Sequence, residues 1–452
     1  MSDEFSVESV YAELLGRAPE NKMEPRLAPL FRAMDVLGEP NKAFPIIHVT
    51  GTNGKTSTAR MIEAGLRAHG LSTGRYTSPH LSKVTERISI DGAPVSDETF
   101  VRIWDEIRPY LEIVDNELVA EGQPRLTYFE CLTILGFAVF ADQPVNVAIM
   151  EVGLGGITDA TNVGDGQVAV VTPISLDHTD LLGDTTEDIA YEKAGIIKPG
   201  GFLVSAAQPV GAAQVLLEKA REVHVPYRFE GVEFGVESRT VAVGGQMVTI
   251  QGIAGRYEDL LVPLHGAHQA ENAAVAIAAL EAFFGGEKAL DAEVLQEAFA
   301  SVTSPGRLEV VRTAPTIIVD AGHNPEGIRV SAEAIHEAFN FTKLVVVVGV
   351  LKEKDAEEIL RQLKESLGDL GAEYCFTQSN SPRAVPAEEL AELALDLGFG
   401  EENIHVADKL DDALEWAVEH AESNEDLAGA VLVTGSITLV AEARILLGKA
   451  DA

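Results

Sequence analysis

The chain has 452 residues, which is enough for two or three domains. Its apolar fraction of 46% is that of an ordinary globular protein. It has 34 basic and 71 acidic residues, for a net charge of −37, and this charge argues against nucleic acid or an anionic membrane as the main partner. An anionic small molecule would have to be held by a few well-placed basic side chains.

The two cysteines, Cys131 and Cys375, lie far apart in apolar sequence. They form neither a disulfide framework nor a zinc cluster on their own, and we expect buried, inert thiols. No run of 18 apolar residues is present, so we expect no membrane span. The first residues are acidic and lack the basic start of a targeting signal, which favours a cytoplasmic location.

Short apolar runs alternate with helical segments from about residue 45 onward. Such alternation predicts an α/β fold with buried parallel strands. In this part of the chain we predict strands at 46–49, 145–152 and 168–172, and helices at 57–69 and 127–140.

A linker-like sequence, Ser301-Val-Thr-Ser-Pro-Gly306, follows a predicted helix at 292–300. The alternation then restarts, with strands predicted at 316–320, 343–350 and 430–434 and a helix at 387–397. We therefore predict a first domain over residues 1–302 and a smaller, Rossmann-like α/β domain over 303–452.

The strongest local pattern is Thr50-Gly-Thr-Asn-Gly-Lys-Thr-Ser57, which lies between a predicted strand and a predicted helix. Backbone N–H groups at a helix start bind phosphate, and glycines permit the tight turn. The lysine reaches the β- and γ-phosphates, and the next hydroxyl binds Mg²⁺. The common P-loop spacing requires a glycine where this chain has Val49. We predict a P-loop NTPase-like first domain with a variant loop, in which ATP is bound by Gly51, Thr52, Asn53, Gly54, Lys55, Thr56 and Ser57.

The loop and the motifs after it resemble, in the same order, those of the dihydrofolate synthase/folylpolyglutamate synthase family of the Mur ligase superfamily. The motifs are Thr77-Ser-Pro-His-Leu81, Thr85-Glu-Arg-Ile88, Thr127-Tyr-Phe-Glu130, Glu151-Val-Gly-Leu-Gly-Gly156, Asp159-Ala-Thr-Asn162, Leu176-Asp-His-Thr-Asp180, Glu192-Lys-Ala-Gly-Ile196, His268-Gln269 with Asn272, Pro305-Gly-Arg307 and Asp320-Ala-Gly-His-Asn-Pro325. The chain departs from the family at Ile157, where an arginine associated with the pterin substrate is usual. The absence of this arginine leaves open which acceptor the protein uses, or by which residues the acceptor is bound.

The resemblance implies an ATP-dependent ligase that joins L-glutamate to dihydropteroate and to the γ-carboxylate of folates. ATP phosphorylates the acceptor carboxylate, the glutamate amine attacks the acyl phosphate, and ADP and phosphate are released. Catalysis of this kind depends on positioning and charge stabilisation. We expect a monomer whose partners are ATP, dihydropteroate or folate, and glutamate, with no nucleic acid and no membrane.

For the metal, the resemblance implies two Mg²⁺ ions held by Thr56, Ser78, Glu151 and His178. Glu151 follows an apolar run and is therefore expected at a strand end, and a carboxylate suits Mg²⁺ better than an imidazole does. The matching lysine of the superfamily is often carbamylated, which implies the same for Lys193. The alternative is an unmodified lysine that holds a phosphate or an acid.

The remaining site residues are also assigned through the resemblance. Asn272, Arg307 and Asp320 are expected to bind ATP, and His323 and Ser436 to bind glutamate, although helix capping is an equal alternative for the serine. The pterin or folate is assigned to Thr127, Tyr128, Phe129, Glu130 and Asp159. The segment 22–27 either contributes to this pocket or is a plain packing helix. The expected catalytic residues are Lys55, Glu151, His178, Lys193 and His323, and the full set comes from both predicted domains.

Four alternatives remain open at this point. A monofunctional folylpolyglutamate synthase would share every motif. A cell-wall Mur ligase is disfavoured because only about 45 residues precede the loop. A P-loop hydrolase or switch protein needs no second domain with a histidine at a strand end. A non-enzymatic binding module is disfavoured because the phosphate and metal residues are retained.

Overall fold

The computed structural model describes residues 6–19, 26–422 and 429–449. The helices within these residues are α1 (Val7–Leu15), α2 (Ala28–Val36), α3 (Lys55–Ala68), α4 (Asp97–Ala120), α5 (Tyr128–Asp142), α6 (Thr179–Leu182), α7 (Thr186–Lys193), α8 (Val210–Glu222), α9 (Ala267–Phe283), α10 (Ala292–Ala300), α11 (Pro325–Ala338), α12 (Ala356–Leu367), α13 (Ala387–Asp396), α14 (Leu410–Glu422) and α15 (Ile437–Leu446).

The strands are β1 (Ile46–Thr50), β2 (Thr73–Tyr76), β3 (Ile88–Ile90), β4 (Ala93–Pro94), β5 (Val147–Glu151), β6 (Gly166–Val171), β7 (Phe202–Ser205), β8 (Tyr227–Phe229), β9 (Gly235–Ala242), β10 (Gly245–Gln251), β11 (Arg256–Val262), β12 (Glu309–Thr313), β13 (Thr316–Val319), β14 (Lys343–Val348), β15 (Glu373–Phe376), β16 (Ile404–Val406) and β17 (Gly429–Thr434). Short 3₁₀ helices occupy Pro40–Lys42, Val84–Arg87, Ala160–Val163, Ala194–Ile196, Gly368–Leu370 and Glu401–Asn403.

The chain forms two compact units. The first contains the described residues up to Ser238, together with Val248–Leu261 and Glu271–Val302. The second contains Arg239–Met247, Val262–Ala270 and the described residues from Thr303 onward. Each unit is described separately below.

The first unit contains an eight-stranded sheet in the order β4-β3-β2-β5-β1-β6-β7-β8. In this order, the six strands β2, β5, β1, β6, β7 and β8 pair in parallel. At one edge of the sheet, β3 pairs antiparallel with β2 and β4 pairs antiparallel with β3. The predicted strands are confirmed, and β1 is buried along its whole length, as its apolar composition indicates. Because β1 lies between β5 and β6, the residues that follow these three strands emerge at the same edge of the sheet.

The helices of this unit form for local reasons that the sequence displays. In α3, Met61, Ile62 and Leu66 recur at helical spacing, and all three are fully buried. Helix α5 begins with a capping box, in which Thr127 and Glu130 each accept a hydrogen bond from the other's backbone N–H. The predicted helices are therefore confirmed, with bounds that shift by one or two residues.

The second unit contains a six-stranded sheet in the order β12-β13-β17-β14-β15-β16. All neighbours are parallel except the antiparallel pair of β12 and β13. Because β13 and β17 are adjacent, Asp320 and Gly435, which follow them, emerge at the same edge.

The strands β9, β10 and β11 form a further three-stranded sheet with the order β11-β10-β9.

Both cysteines are buried and unpaired by any disulfide, as predicted. Burial raises the pKa of the Cys375 thiol to about 12 and that of Cys131 still further, so both are protonated and unreactive at neutral pH. Among the residues described, no helix is both long and apolar enough to cross a membrane.

Candidate active site

The predicted phosphate loop joins the end of β1 to the start of α3. It is fastened to the segment after β6, because Thr52 N donates to Pro173 O at 2.9 Å and Thr52 Oγ1 donates to Ser175 O at 3.0 Å. No side chain caps the first turn of α3. The helix start therefore presents its positive end and its backbone N–H groups beside a fixed loop, which is the arrangement that binds phosphate.

Two glycines of the loop are required by its shape. Gly51 has φ +143° and a Cβ there would overlap the side chain of Thr172. Gly54 has φ +84°, and a Cβ there would lie 2.5 Å from Asn272 Oδ1. The second contact also places Asn272, predicted to bind ATP, directly against the loop.

Two lysines converge on one carbonyl of this loop. Lys55 Nζ donates to Gly51 O at 3.0 Å and to Thr52 O at 2.9 Å. Lys193 Nζ donates to the same Gly51 O at 2.9 Å, although it lies 142 residues away in the sequence. Only 4% of Lys193 is exposed, and burial, followed by the charge of Lys55, lowers its pKa to about 7. A large fraction of Lys193 is therefore an uncharged amine at neutral pH.

Glu151 ends β5 next to the loop and is 1% exposed. Both of its carboxylate oxygens lie 3.0 Å from Thr56 Oγ1. A hydroxyl and a carboxylate at this spacing are hard oxygen donors that fit Mg²⁺, which takes one or two carboxylates and completes its shell with waters and phosphate oxygens. Among the described residues, no group of three or more His, Cys, Asp or Glu side chains is arranged to hold a metal, so the fit rests on this pair.

The other two predicted metal ligands have different surroundings. Ser78 is partly buried and precedes Pro79 through a cis peptide bond. His178 has a left-handed backbone with φ +50° at the start of α6, and its side chain is 36% exposed. Asp177 Oδ1 accepts a hydrogen bond from His178 N at 2.9 Å. A left-handed non-glycine residue is strained and is often found at functional sites. The metal role of both residues stays a prediction.

The motif that carries Glu151 packs tightly against the segment that carries Lys193. A Cβ on Gly156 would lie 2.5 Å from Glu192 O, and a Cβ on Gly195 would lie 2.6 Å from Ile157 Cα. These glycines therefore permit the two backbones to touch. Asp159 supports the same turn, since it accepts hydrogen bonds from the backbone N–H of Gly153, Leu154 and Thr161 at 2.9–3.0 Å.

The first unit also contains an aromatic cluster, formed by Tyr11, His80 and Tyr128 together with the guanidinium of Arg87. The rings of Tyr11 and His80 meet edge to face at 5.7 Å, and the guanidinium of Arg87 lies 5.4 Å from the centre of the Tyr128 ring. Arg87 Nε donates to His80 Nδ1 at 3.0 Å. Burial and the neighbouring arginine lower the pKa of His80 to about 3, so its ring is neutral with the hydrogen on Nε2.

Several residues predicted to bind the pterin have structural partners. Thr127 and Glu130 form the capping box of α5, and Glu130 also pairs with Arg26 at 3.2 Å. Tyr128 and Phe129 are largely buried. Residues 22–25 of the segment predicted to line the pocket lie outside the described residues. The pterin role of this set therefore remains a prediction.

In the second unit, two carboxylates shape the loop around Arg307. Asp320 accepts from the backbone N–H of Leu308 and of Gly322, each at 3.0 Å, and from Ser331 Oγ at 2.7 Å. Its oxygens are thus engaged in holding the loop, which sequence reasoning did not foresee. Arg307 contacts Ala321 O at 3.4 Å.

The second carboxylate is Glu309. It accepts from the backbone N–H of Gly306 at 2.7 Å and from Nε of the buried Arg444 at 2.8 Å, 135 residues further along the chain. Leu308, whose N–H is held by Asp320, has a left-handed backbone with φ +46°. The backbone on both sides of Arg307 is therefore fixed by carboxylate-to-amide hydrogen bonds.

The two residues predicted to bind glutamate follow neighbouring strands of this sheet. His323 Nδ1 lies 2.9 Å from Ala321 O, and because a carbonyl only accepts, this nitrogen carries the hydrogen. In the neutral ring Nε2 is then an acceptor. Ser436 caps α15 by accepting from Leu439 N at 3.3 Å, which is the structural alternative that the sequence left open.

Comparison with known proteins identifies the family. The Mur ligase middle domain matches residues 49–280, and the Mur ligase glutamate ligase domain matches residues 306–437. The chain is 43% identical to a dihydrofolate synthase/folylpolyglutamate synthase of Mycobacterium tuberculosis, over 96% of this chain and 92% of that protein. It is 34% identical to the Escherichia coli protein of the same name, over 88% and 85% of the two chains. The chain belongs to the dihydrofolate synthase/folylpolyglutamate synthase family of the Mur ligases, and it is an ATP-dependent ligase.

Solved structures of relatives share the fold of this ligase. A Mycobacterium tuberculosis folylpolyglutamate synthase complexed with ADP and AMPPCP superposes with a TM-score of 0.92 at 42% identity, covering 98% of both chains. The Escherichia coli FolC protein in complex with DHPP and ADP superposes with a TM-score of 0.83 at 29% identity, again over 98% of both chains.

Within the first unit of this ligase, the structure brings together the phosphate loop, Asn272, Glu151 and Lys193. Sequence reasoning missed Tyr11 of the aromatic cluster, which belongs to no motif. It also missed Arg60 on α3, although its position four residues after Thr56 was a usable signal, because residues four apart share one helix face.

Proposed function

We propose that this ligase joins L-glutamate both to dihydropteroate and to the γ-carboxylate of folates, with ATP as the energy source. The observation that carries the proposal is the meeting of the phosphate loop, Glu151 and Lys193 at one edge of the sheet. The names of the relatives from Mycobacterium tuberculosis and Escherichia coli, which include both activities, support it.

The proposed reaction has two steps. A carboxylate oxygen of the acceptor attacks the γ-phosphorus of ATP, the bond to the β,γ-bridging oxygen breaks, and an acyl phosphate and ADP form. The uncharged amine of glutamate then attacks the acyl carbon, and the tetrahedral adduct expels phosphate. The product is an amide, and one proton is released for each glutamate joined.

The residues of the loop have defined tasks in this reaction. The backbone N–H groups at the start of α3 and the ammonium of Lys55 bind the β- and γ-phosphates and stabilise the charge that moves to the bridging oxygen. We propose that Thr56 and Glu151 hold Mg²⁺, with Ser78 and His178 as the further ligands that the resemblance implies. The metal, when bound, neutralises phosphate charge and so eases attack by an anionic carboxylate.

Lys193 is proposed to be carbamylated. Its uncharged amine would attack CO₂ to form an N-carboxylate, with release of one proton. Burial and a pKa of about 7 support this, because they make the amine nucleophilic at neutral pH. The product carries a carboxylate at the loop and removes the repulsion between this side chain and Lys55.

The acceptor is proposed to bind beside the aromatic cluster. A pterin is planar, and flat rings together with an arginine offer stacking and cation–π contacts to it. The Escherichia coli FolC structure in complex with DHPP and ADP supports a small-molecule acceptor that binds together with the nucleotide. Ile157, which replaces the usual arginine, contacts the Lys193 segment through its backbone, with N–H donation to Glu192 O at 3.0 Å.

In the second unit, Arg307 is proposed to contact the ATP phosphates, because its planar fork suits phosphate oxygens. Asp320 is proposed to act on the nucleotide side by holding the loop that carries this arginine. His323 and Ser436 are proposed to bind the incoming glutamate, the histidine as an acceptor for the ammonium through Nε2.

One assay tests the proposal. Purified protein would be given ATP, Mg²⁺ and L-glutamate, with dihydropteroate or tetrahydrofolate offered separately, and products would be identified by mass. We expect one glutamate to be added to dihydropteroate and successive glutamates to the folate. Addition to the folate alone would favour the monofunctional synthase. This alternative stays open because Ile157 stands where an arginine associated with the pterin substrate is usual. Absence of glutamate-dependent ADP with both acceptors would contradict the folate assignment.

A further inference from the structure

Arg60 lies one helical turn after Thr56 on α3. Residues four apart share a helix face, and long side chains lean toward the helix N-terminus, so the guanidinium of Arg60 covers the turn that carries Thr56. That hydroxyl is in turn bonded to both oxygens of Glu151. The electrostatic interaction between Arg60 and Glu151 agrees with this placement.

Arg60 is partly buried, and three acids, Glu63, Glu86 and Glu151, contribute negative charge around it. Its Nε is buried and has no hydrogen-bond partner within the described residues. Burial and the positive charge of Arg75 lower the pKa of Arg60 to about 9, whereas paired arginines such as Arg329 have their pKa raised by their carboxylates. A buried donor without a hydrogen-bond partner is costly, and an oxygen of a bound anion would supply that partner.

Glu63 on the same helix and Glu86 on a neighbouring segment interact with Arg60, but both are engaged elsewhere. Glu63 is bonded to Arg75 Nε at 2.7 Å and also accepts from Thr73 Oγ1 and Gly92 N. The carboxylate of Glu86 accepts hydrogen bonds at 2.7–2.9 Å from the backbone N–H groups of Leu81, Ser82 and Lys83. Each of these acids lowers the local potential, but neither supplies a hydrogen-bond partner to Arg60.

We propose that Arg60 binds the carboxylate of the acceptor, the group that receives the γ-phosphoryl of ATP. The inference rests on the proposed function and adds a residue to its acceptor site. The start of α3 and Lys55 serve the β- and γ-phosphates, and the Cα of Arg60 lies about 6 Å beyond that of Thr56 along the helix axis. Because the Arg60 side chain leans back toward Thr56, an anion that it binds lies beside the γ-phosphate, where the attacking carboxylate must be. A guanidinium holds a carboxylate through two parallel N–H···O bonds and so orients the attacking oxygen.

The test compares Arg60→Met and Arg60→Lys with Arg67→Met as the matched control. Arg67 is an exposed arginine on the same helix. We expect Arg60→Met to weaken acceptor binding and raise the acceptor KM by about 10- to 100-fold, with the KM for ATP nearly unchanged. Arg60→Lys should retain part of the affinity, and Arg67→Met should behave as the wild type. Binding is measured by titration with dihydropteroate and with tetrahydrofolate, and folding by circular dichroism and thermal melting.

A second ligand separates carboxylate recognition from general packing. The acceptor carboxamide, which lacks the anionic oxygen pair, should bind the wild type and Arg60→Met equally. The proposal is overturned if the acceptor affinity of Arg60→Met equals that of the wild type, or if the carboxamide loses as much affinity as the acid. Failure of the proposed function has a different result, namely a wild-type protein that binds neither acceptor and makes no glutamate-dependent ADP.

Discussion

Two loops, one after β1 and one before β12, use polar side chains in opposite ways. In the phosphate loop of the first unit, lysine side chains donate to backbone carbonyls, since Lys55 and Lys193 both bind Gly51 O. In the loop around Arg307 of the second unit, carboxylates accept from backbone N–H groups, as Glu309 and Asp320 do.

The two arrangements suit different ways of binding an anion. Lysine amines that hold carbonyls leave the N–H groups at the start of α3 directed at a ligand, and Lys55 adds positive charge beside it. Carboxylates that accept from backbone N–H groups fix the loop in place. The positive charge that remains available to a ligand there is the guanidinium of Arg307. The first loop is therefore expected to bind anions through its own backbone, and the second through one positioned side chain.

The largest effect is expected at the first loop. Lys55→Ala should lower kcat by about 1,000-fold or more while leaving the fold intact, because the lysine stabilises phosphate charge in the transition state. The measurement is glutamate-dependent ADP release, with thermal melting as the check on folding. Lys42→Ala, at an exposed lysine of the same unit, is the control. Retention of more than about a tenth of the wild-type turnover would remove Lys55 from the mechanism.

The next largest effect concerns carbamylation of Lys193. Lys193→Ala should lose about 100-fold or more in activity and regain part of it with added acetate or propionate. Lys193→Arg keeps a positive charge but cannot be carbamylated, so it should stay inactive. Because carbamylation requires the uncharged amine and the pKa is about 7, wild-type activity should rise as pH increases through 7. This acidic limb should be steeper in buffers depleted of CO₂.

The opposite pattern would identify an ordinary cationic lysine. Lys193→Arg would then retain activity, carboxylates would rescue nothing, and depletion of CO₂ would have no effect. Mass measurement of the intact protein at pH above 8 in bicarbonate gives an independent readout of the added CO₂.

The smallest effect on activity is expected at Glu309, which acts only by fixing the backbone of the loop around Arg307. Glu309→Gln keeps an acceptor for Gly306 N but loses the charge that pairs with Arg444. We expect a loss of about 1–3 kcal/mol in the free energy of unfolding and a several-fold rise in the KM for ATP, with little change in kcat. Glu373→Gln, which breaks another ion pair of the same unit, should affect only stability.

A double-mutant cycle decides whether Glu309 acts through Arg307. If it does, Arg307→Met should raise the KM for ATP more than Glu309→Gln, and adding Glu309→Gln to it should have no further effect. Additive effects on KM would show that the carboxylate does not work through the arginine.

The sequence predicted the strands, helices and phosphate loop well because each depends on local chemistry. Buried parallel strands need apolar runs, and α3 needs its apolar stripe, which Met61, Ile62 and Leu66 supply. It assigned Thr127, Glu130 and Asp320 to ligands, and for these the structure adds structural bonds that a motif does not reveal. The same types of side chain serve a capping box and a ligand contact. The two roles can be distinguished only when the positions of the neighbouring backbone N–H groups are known.

Periodic apolar runs were enough to predict the α/β fold, and short contiguous motifs were enough to indicate a ligase of the Mur type with a variant phosphate loop. Which distant groups meet depends on the packing of the whole chain. Lys193 reaches Gly51 across 142 residues and Arg444 reaches Glu309 across 135. The lowered pKa of Lys193 and the unpartnered Nε of Arg60 follow from burial among particular neighbours, and burial is a property of the packed chain rather than of any segment of it.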